Sequence, residues 1–193
     1  AGTSVRTSAQ TLNTQACAGA ASATCSATAR YAALPSASRW YALAGAVIVL
    51  DQVTKAVVLA SIQFGERIVF LPFWNWVLTM NPGAAFSFLA DQPGWQRWFF
   101  TILALAVSAW IALELRRHPE QKLLSLALAL VMGGALGNVI DRVRFGAVVD
   151  FVQWHVAGFY WPAFNVADAA ITVGAILLVV SSLTAPGKKE IPR

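Results

Sequence analysis

Leu123-Leu124-Ser125-Leu126-Ala127-Leu128-Ala129-Leu130-Val131-Met132-Gly133-Gly134-Ala135-Leu136-Gly137-Asn138-Val139-Ile140 is apolar almost throughout, and Asp141-Arg142 closes it with two charges. A helix rises 1.5 Å per residue, so roughly 20 such residues cross about 30 Å of hydrocarbon. Three other apolar segments are long enough to cross: Trp40 to Ile62, Gln96 to Leu115, and Ala163 to Leu183. The Leu123 to Ile140 run is the shortest and ends in polar residues. Of the 193 residues 58% are hydrophobic and 12% charged, with a mean hydropathy of +0.60. That leaves too little polar surface to cover a soluble domain, and an α-helical membrane protein of four transmembrane helices is expected.

Basic residues near span ends stay on the cytoplasmic side. Arg6, Arg30 and Arg39 precede the first span, Arg116, Arg117 and Lys122 separate the second from the third, and Lys188, Lys189 and Arg193 follow the fourth. Arg67, Arg97, Arg142 and Arg144 are spread over the two longer connections on the other face. Both termini are therefore expected in the cytoplasm. The net charge of +5 sits beside span ends and forms no aromatic-interleaved face, so membrane lipid is the expected partner and nucleic acid is not. Cys17 and Cys25 lie in the N-terminal tail and no Cys-His cluster exists. Neither a structural disulfide, a metal nor another cofactor is expected.

Residues 1–38 are rich in Ala, Ser and Thr, lack any acid, and read as a disordered extension. A transit peptide or an overextended start would look the same. Residues 39–185 form the expected four-span domain and 186–193 a cytoplasmic tail. Between the first two spans, Arg67 to Met80 is β-branched and aromatic with a break at Pro72, which predicts short strands. Trp74 and Trp76 would share one face of a small extracytoplasmic sheet at headgroup level. Asn81-Pro82-Gly83-Ala84-Ala85-Phe86-Ser87 then begins as a turn with small side chains. The connection from Asp141 to Pro162 carries Trp154, Phe159, Tyr160 and Trp161 and is expected as an aromatic loop against the interface.

Asp141, Asp150 and Asp168 all fall toward the outer side. A carboxylate near hydrocarbon costs roughly 2.5 to 3.5 kcal/mol on insertion scales and so asks for a function. Asp168, at the start of the fourth span, and Asp150, in the loop feeding it, can meet at the membrane face. Two carboxylates in close approach share a proton near working pH, one serving as base and the other as acid. The structural alternatives are concrete. Asn165-x-x-Asp168 also fits a helix cap, which spacing alone favours, and Asp141-Arg142 equally suits a hub fixing the third span. Asp150, between Val149 and Phe151, has no obvious cation beside it. Asp51 and Lys55 are four apart on one helical face and suit mutual neutralisation, with Lys55 about 22 Å along the helix and able to snorkel outward. His118 and His155 have no Gly-x-Ser-x-Gly partner, and neither a Walker loop nor a His-Glu-x-x-His string occurs.

Five strings in order, Asp51-Gln52-Val53-Thr54-Lys55, Asn81 to Ser87, Gly137 to Arg142, Val149-Asp150-Phe151 and Phe164 to Asp168, resemble the bacterial lipoprotein signal peptidases, signal peptidase II. The resemblance covers roughly Arg39 to Ser182. It implies an aspartic endopeptidase of the bacterial inner membrane, with Asp150 and Asp168 as the catalytic dyad at the outer face. It further implies that Asn81, Gly83, Asn138, Arg142 and Asn165 line the substrate region, and that Asp51, Lys55 and Asp141 support it. Asp141 remains the competing dyad candidate, since its Asn-x-x-Asp context mirrors that of Asp168. The implied substrates are diacylglyceryl-modified prolipoproteins, cut before the lipidated cysteine, the implied inhibitors are of globomycin type, and the enzyme is expected to be a monomer. A different class of reading, a small proton-coupled transporter or channel subunit, would use Asp51, Lys55, Asp141 and Asp168 as a relay. The long N-terminal extension has no counterpart in the family core.

Overall fold

Four helices carry the apolar segments: α1 (Ser38–Ser61), α2 (Trp95–Arg117), α3 (Lys122–Phe145) and α4 (Val166–Thr184), each long and apolar enough to cross a membrane. The computed structural model describes residues 37–83, 88–89 and 91–184. The expected N-terminal extension up to residue 36 and the C-terminal tail lie outside the described residues. So do Ala84 to Ser87.

Helix α3 is the centre of the bundle. In its apolar window 56% of residues are buried, against 22% for α1 and α2 and 11% for α4. Small residues explain the placement, because helices without a hydrophobic drive between them associate by close backbone packing. A Cβ on Gly133 would stand 2.8 Å from the carbonyl oxygen of Ala44 in α1, and one on Gly134 would press on the carbonyl of Ala167 in α4. From α4, Gly174 reciprocates against the carbonyl of Ala127. The outward faces stay apolar for lipid, with Val49, Val53 and Val57 on α1 and Ile176, Val179 and Leu183 on α4 all exposed.

Two span boundaries differ from expectation. Helix α3 does not stop at Ile140 but continues to Phe145, and Gly146 at φ 82° ends it. Asp141 and Arg142 find buried partners outside the helix, in Lys55 and the Gly83 carbonyl, so their polarity does not end it. Helix α4 begins at Val166, not Ala163, because Asn165 caps it.

At one end of the bundle sits an antiparallel sheet in the order β1 (Arg67–Leu71), β2 (Trp74–Asn81), β3 (Val148–Val156) and β4 (Phe159–Tyr160). Pro72 falls in the β1–β2 turn, where a missing N–H does no harm. Trp74 and Trp76 do share a face, their rings 5.1 Å apart, and Trp76 stacks on Phe151 at 5.9 Å. The aromatic connection between α3 and α4 goes further than a loop, contributing β3 and β4 to this same sheet. Its hairpin turns through Ala157 and Gly158 at φ 49° and 84°, the left-handed geometry that tight hairpins favour. In β2 the pairing passes from Trp76 opposite Val152 to Thr79 opposite Asp150, three residues against two. That one-residue bulge re-aims the end of β2.

Candidate active site

Asp150 reaches its position by strand alternation. Val149 and Phe151, 0% and 2% exposed, pack with Val58 and Leu78 in one core cluster. Side chains on a strand alternate, so Asp150 points the other way, into a cleft, while remaining 2% exposed. Asp168 stands in the first turn of α4. Asn165 Oδ1 accepts from the Asp168 N–H at 2.8 Å, and Asp168 Oδ2 accepts from the Asn165 N–H at 3.4 Å. This reciprocal cap leaves Asp168 Oδ1 to accept from Asn138 Nδ2 at 2.8 Å. Capping and facing the cleft are thus compatible.

The two carboxylates are joined through two amides. Asn165 Nδ2 donates to Asp150 Oδ1 at 2.7 Å, to the Val149 carbonyl at 3.2 Å and to Asn138 Oδ1 at 3.3 Å, and Asn138 in turn donates to Asp168. Burial pushes the Asp150 carboxyl up to about 8, and the negative charge of Asp168 adds to the rise. Hydrogen bonds from Asn81 and Asn165 and the charge of Lys55 pull the other way. Burial disfavours the ionised form by removing the solvation that water gives a carboxylate, and a like charge disfavours it by direct repulsion.

Behind the pair lies an ionic network. Lys55 Nζ contacts Asp51 Oδ2 at 2.8 Å, Asp141 Oδ2 at 2.7 Å and Asn138 Oδ1 at 3.0 Å. Lys55 is 2% exposed, so it does not snorkel to the interface as its height on α1 suggested; two buried acids draw it inward instead. Asp51 also accepts from the Ala167 N–H at 2.9 Å, and Asp141 from the Val149 N–H at 3.1 Å. Each backbone amide so held adjoins one of the cleft acids. Gln52, to which the sequence reading assigned no role, donates to Asp141 Oδ1 at 2.9 Å and to the Gly137 carbonyl at 3.2 Å. The signal for it was the crowding of Asp51, Gln52, Thr54 and Lys55 into an otherwise apolar span.

Arg142 serves the other side. Its Nη2 donates to the Gly83 carbonyl at 2.8 Å, while the Gly83 N–H donates to Asn81 Oδ1 at 3.0 Å. The end of β2 and the turn after it are thereby tied to α3. Asn81, Gly83, Asn138, Arg142, Asp150 and Asp168 all line one cleft of about 1270 Å³. Asn165, expected at the substrate, does not line it but stands fully buried behind Asp150. Asp51, Lys55 and Asp141 also lie behind the wall. The cleft continues from the acids into apolar surface between α2 and α4, past Leu103, Ala104 and Val107 on one side and Ile171 and Val173 on the other.

A membrane-spanning four-helix bundle with acids at the head of an apolar cleft describes a membrane enzyme of hydrolytic type better than a relay. A family profile described as "Signal peptidase (SPase) II" matches residues 43–184. The lipoprotein signal peptidase of Polynucleobacter necessarius is 54% identical over 145 residues, covering 75% of this chain and 89% of that protein. That of Cupriavidus pinatubonensis is 55% identical over 144 residues, 75% of this chain and 82% of the other. A solved structure described as a bacterial membrane enzyme superposes with a TM-score of 0.70 at 30% identity, covering 81% of this chain and 95% of that one. The chain belongs to the signal peptidase II family, which cleaves signal peptides from prolipoproteins. The transporter reading finds no support in this kinship.

Proposed function

We propose that this membrane peptidase is of the aspartic type and removes the signal peptide from diacylglyceryl-modified prolipoproteins, with Asp150 and Asp168 as its dyad. The observation that carries the reading is a pair of carboxylates facing one cleft, Asp150 buried and Asp168 half-buried, coupled by charge and with amide donors on each. The ionised member takes a proton from a water directed at the scissile carbonyl carbon. The protonated member gives its proton to the carbonyl oxygen, and the C–N bond breaks as the cysteine nitrogen takes up a proton. The products are a signal peptide carboxylate and a free amine on the lipidated cysteine.

The cleft suits such a substrate. Its polar head holds the acids, Asn81 and Arg142, which can engage an extended peptide; its apolar stem between α2 and α4 suits acyl chains arriving sideways from the bilayer. Asp141 acts as a positioning group through Lys55 and the Val149 N–H. The distribution of Lys and Arg supports cytoplasmic termini and an active site at the outer face of a bacterial inner membrane. Globomycin-type cyclic lipopeptides would occupy the same cleft, and the bundle acts as a monomer.

One assay tests the substrate class. Purified enzyme given the same precursor with and without its diacylglyceryl group should cleave only the modified form, and equal cleavage of both would remove the lipid from the reading. The pH profile is a second expectation. As pH rises through about 8 the Asp150 carboxyl gives up its proton, and the pair loses the acid it supplies. kcat/KM should therefore fall along an alkaline limb centred near pH 8, and a profile flat to pH 10 would contradict this assignment.

A further inference from the structure

We propose that Lys55 is a positioning residue for the reaction, its ammonium holding the Asn138 amide one way round and so keeping amide donors on the two cleft acids. The inference rests on the dyad reading above. An ammonium has three hydrogens and no lone pair, and here each hydrogen has one acceptor: Asp51 Oδ2, Asp141 Oδ2 and Asn138 Oδ1. Asn138 must therefore turn its oxygen toward Lys55. Its Nδ2 then faces Asp168 Oδ1, and the remaining lone pair on its oxygen accepts from Asn165 Nδ2, which also serves Asp150. Reversal of the amide would set N–H groups against the ammonium and against the Asn165 amide, and would set a carbonyl against a carboxylate.

Asp168 cannot hold this orientation by itself through a catalytic cycle. As the shared proton moves, its carboxyl alternates between accepting and donating, and a carboxylic acid is content to meet the amide oxygen. Lys55 stands outside that cycle, 2% exposed and behind the cleft wall, and gives hydrogens in every state of the pair. It is the element of the network whose demand on Asn138 does not change.

A role of this kind separates from bulk stability in a double-variant test. Lys55→Met and Asn138→Ala should each lower kcat by about 100-fold, the usual scale for a displaced reacting group, and in Lys55→Met KM should stay unchanged because Lys55 does not touch the cleft. Together they should cost no more than either alone. Losses that multiply, or a Lys55→Met effect confined to KM, would overturn the inference. Should Lys55→Met not fold, the same comparison is run with Asp51→Asn and Asp141→Asn added, which removes the ionic network as a whole and avoids stranding buried acids. Wild-type kcat in that background overturns it equally. Asp168→Asn in the same assay keeps the two ideas apart: if it is inactive while the Lys55 and Asn138 losses multiply, the dyad stands and only the positioning role falls.

Discussion

Asp150→Asn and Asp168→Asn should each lower turnover of a lipidated precursor by about three orders of magnitude, within the roughly 10² to 10⁴ that a positioned acid or base contributes, and each protein should stay folded. An Asn in place of either acid keeps the size and most hydrogen-bond geometry but cannot exchange a proton. The stability change has a definite sign. The Asp150 carboxyl lies at about 8 in the folded protein against 3.8 ordinarily, so the native state holds its proton more tightly than the unfolded chain. Folding stability from this group is complete below pH 4 and declines as pH rises toward 8. Asp150→Asn abolishes that decline, and above pH 8 the variant should be more stable than the parent. Chemical denaturation in detergent at pH 6 and pH 9, beside the cleavage assay, measures both effects. Ordinary turnover by either purified variant would exclude the dyad.

Asp141→Ala should have the second large effect, on stability before turnover. Its carboxylate accepts from Lys55, from Gln52 and from the Val149 N–H, joining α1, α3 and β3 at one buried point. Breaking a buried ion pair by removing one partner costs about 3–5 kcal/mol. The variant should unfold at markedly lower denaturant, and whatever remains folded should still process precursor slowly. Asp141→Asn keeps the acceptor for Val149 and should be milder. A stable Asp141→Asn protein with no turnover at all would return Asp141 to the dyad question that its sequence context raised.

Much of the architecture was legible because the membrane imposes it. Four runs of apolar residues have no other use in a chain so poor in charge, and Arg67 to Met80, β-branched with a central proline, had to be strands outside the bundle. The ends of α3 and α4 were less legible. Asp141 and Arg142 look like a stop, yet both are accommodated inside α3 once Lys55 and Gly83 are brought to them from 86 and 59 residues away in the chain. The joining of β3 to β2 was equally hidden, since a strand pairing across α2 and α3 leaves no local mark.

For the acids the division falls along the same line. Local sequence determined that Asp168 could cap α4, that Asp150 stood alone in an apolar strand, and that Asp51 could meet Lys55 one turn on, because these depend on neighbours within four residues. Whether Asp150 and Asp168 face one cleft, and which cation neutralises Asp141, was decided only by the packing of α1 and α4 on the glycines of α3 and by the bulge in β2. Buried charges are governed by what surrounds them in space: Asn165 is local to Asp168 and Lys55 to Asp51, whereas the Asn138 that serves Asp168 and the Lys55 that neutralises Asp141 come from distant parts of the chain.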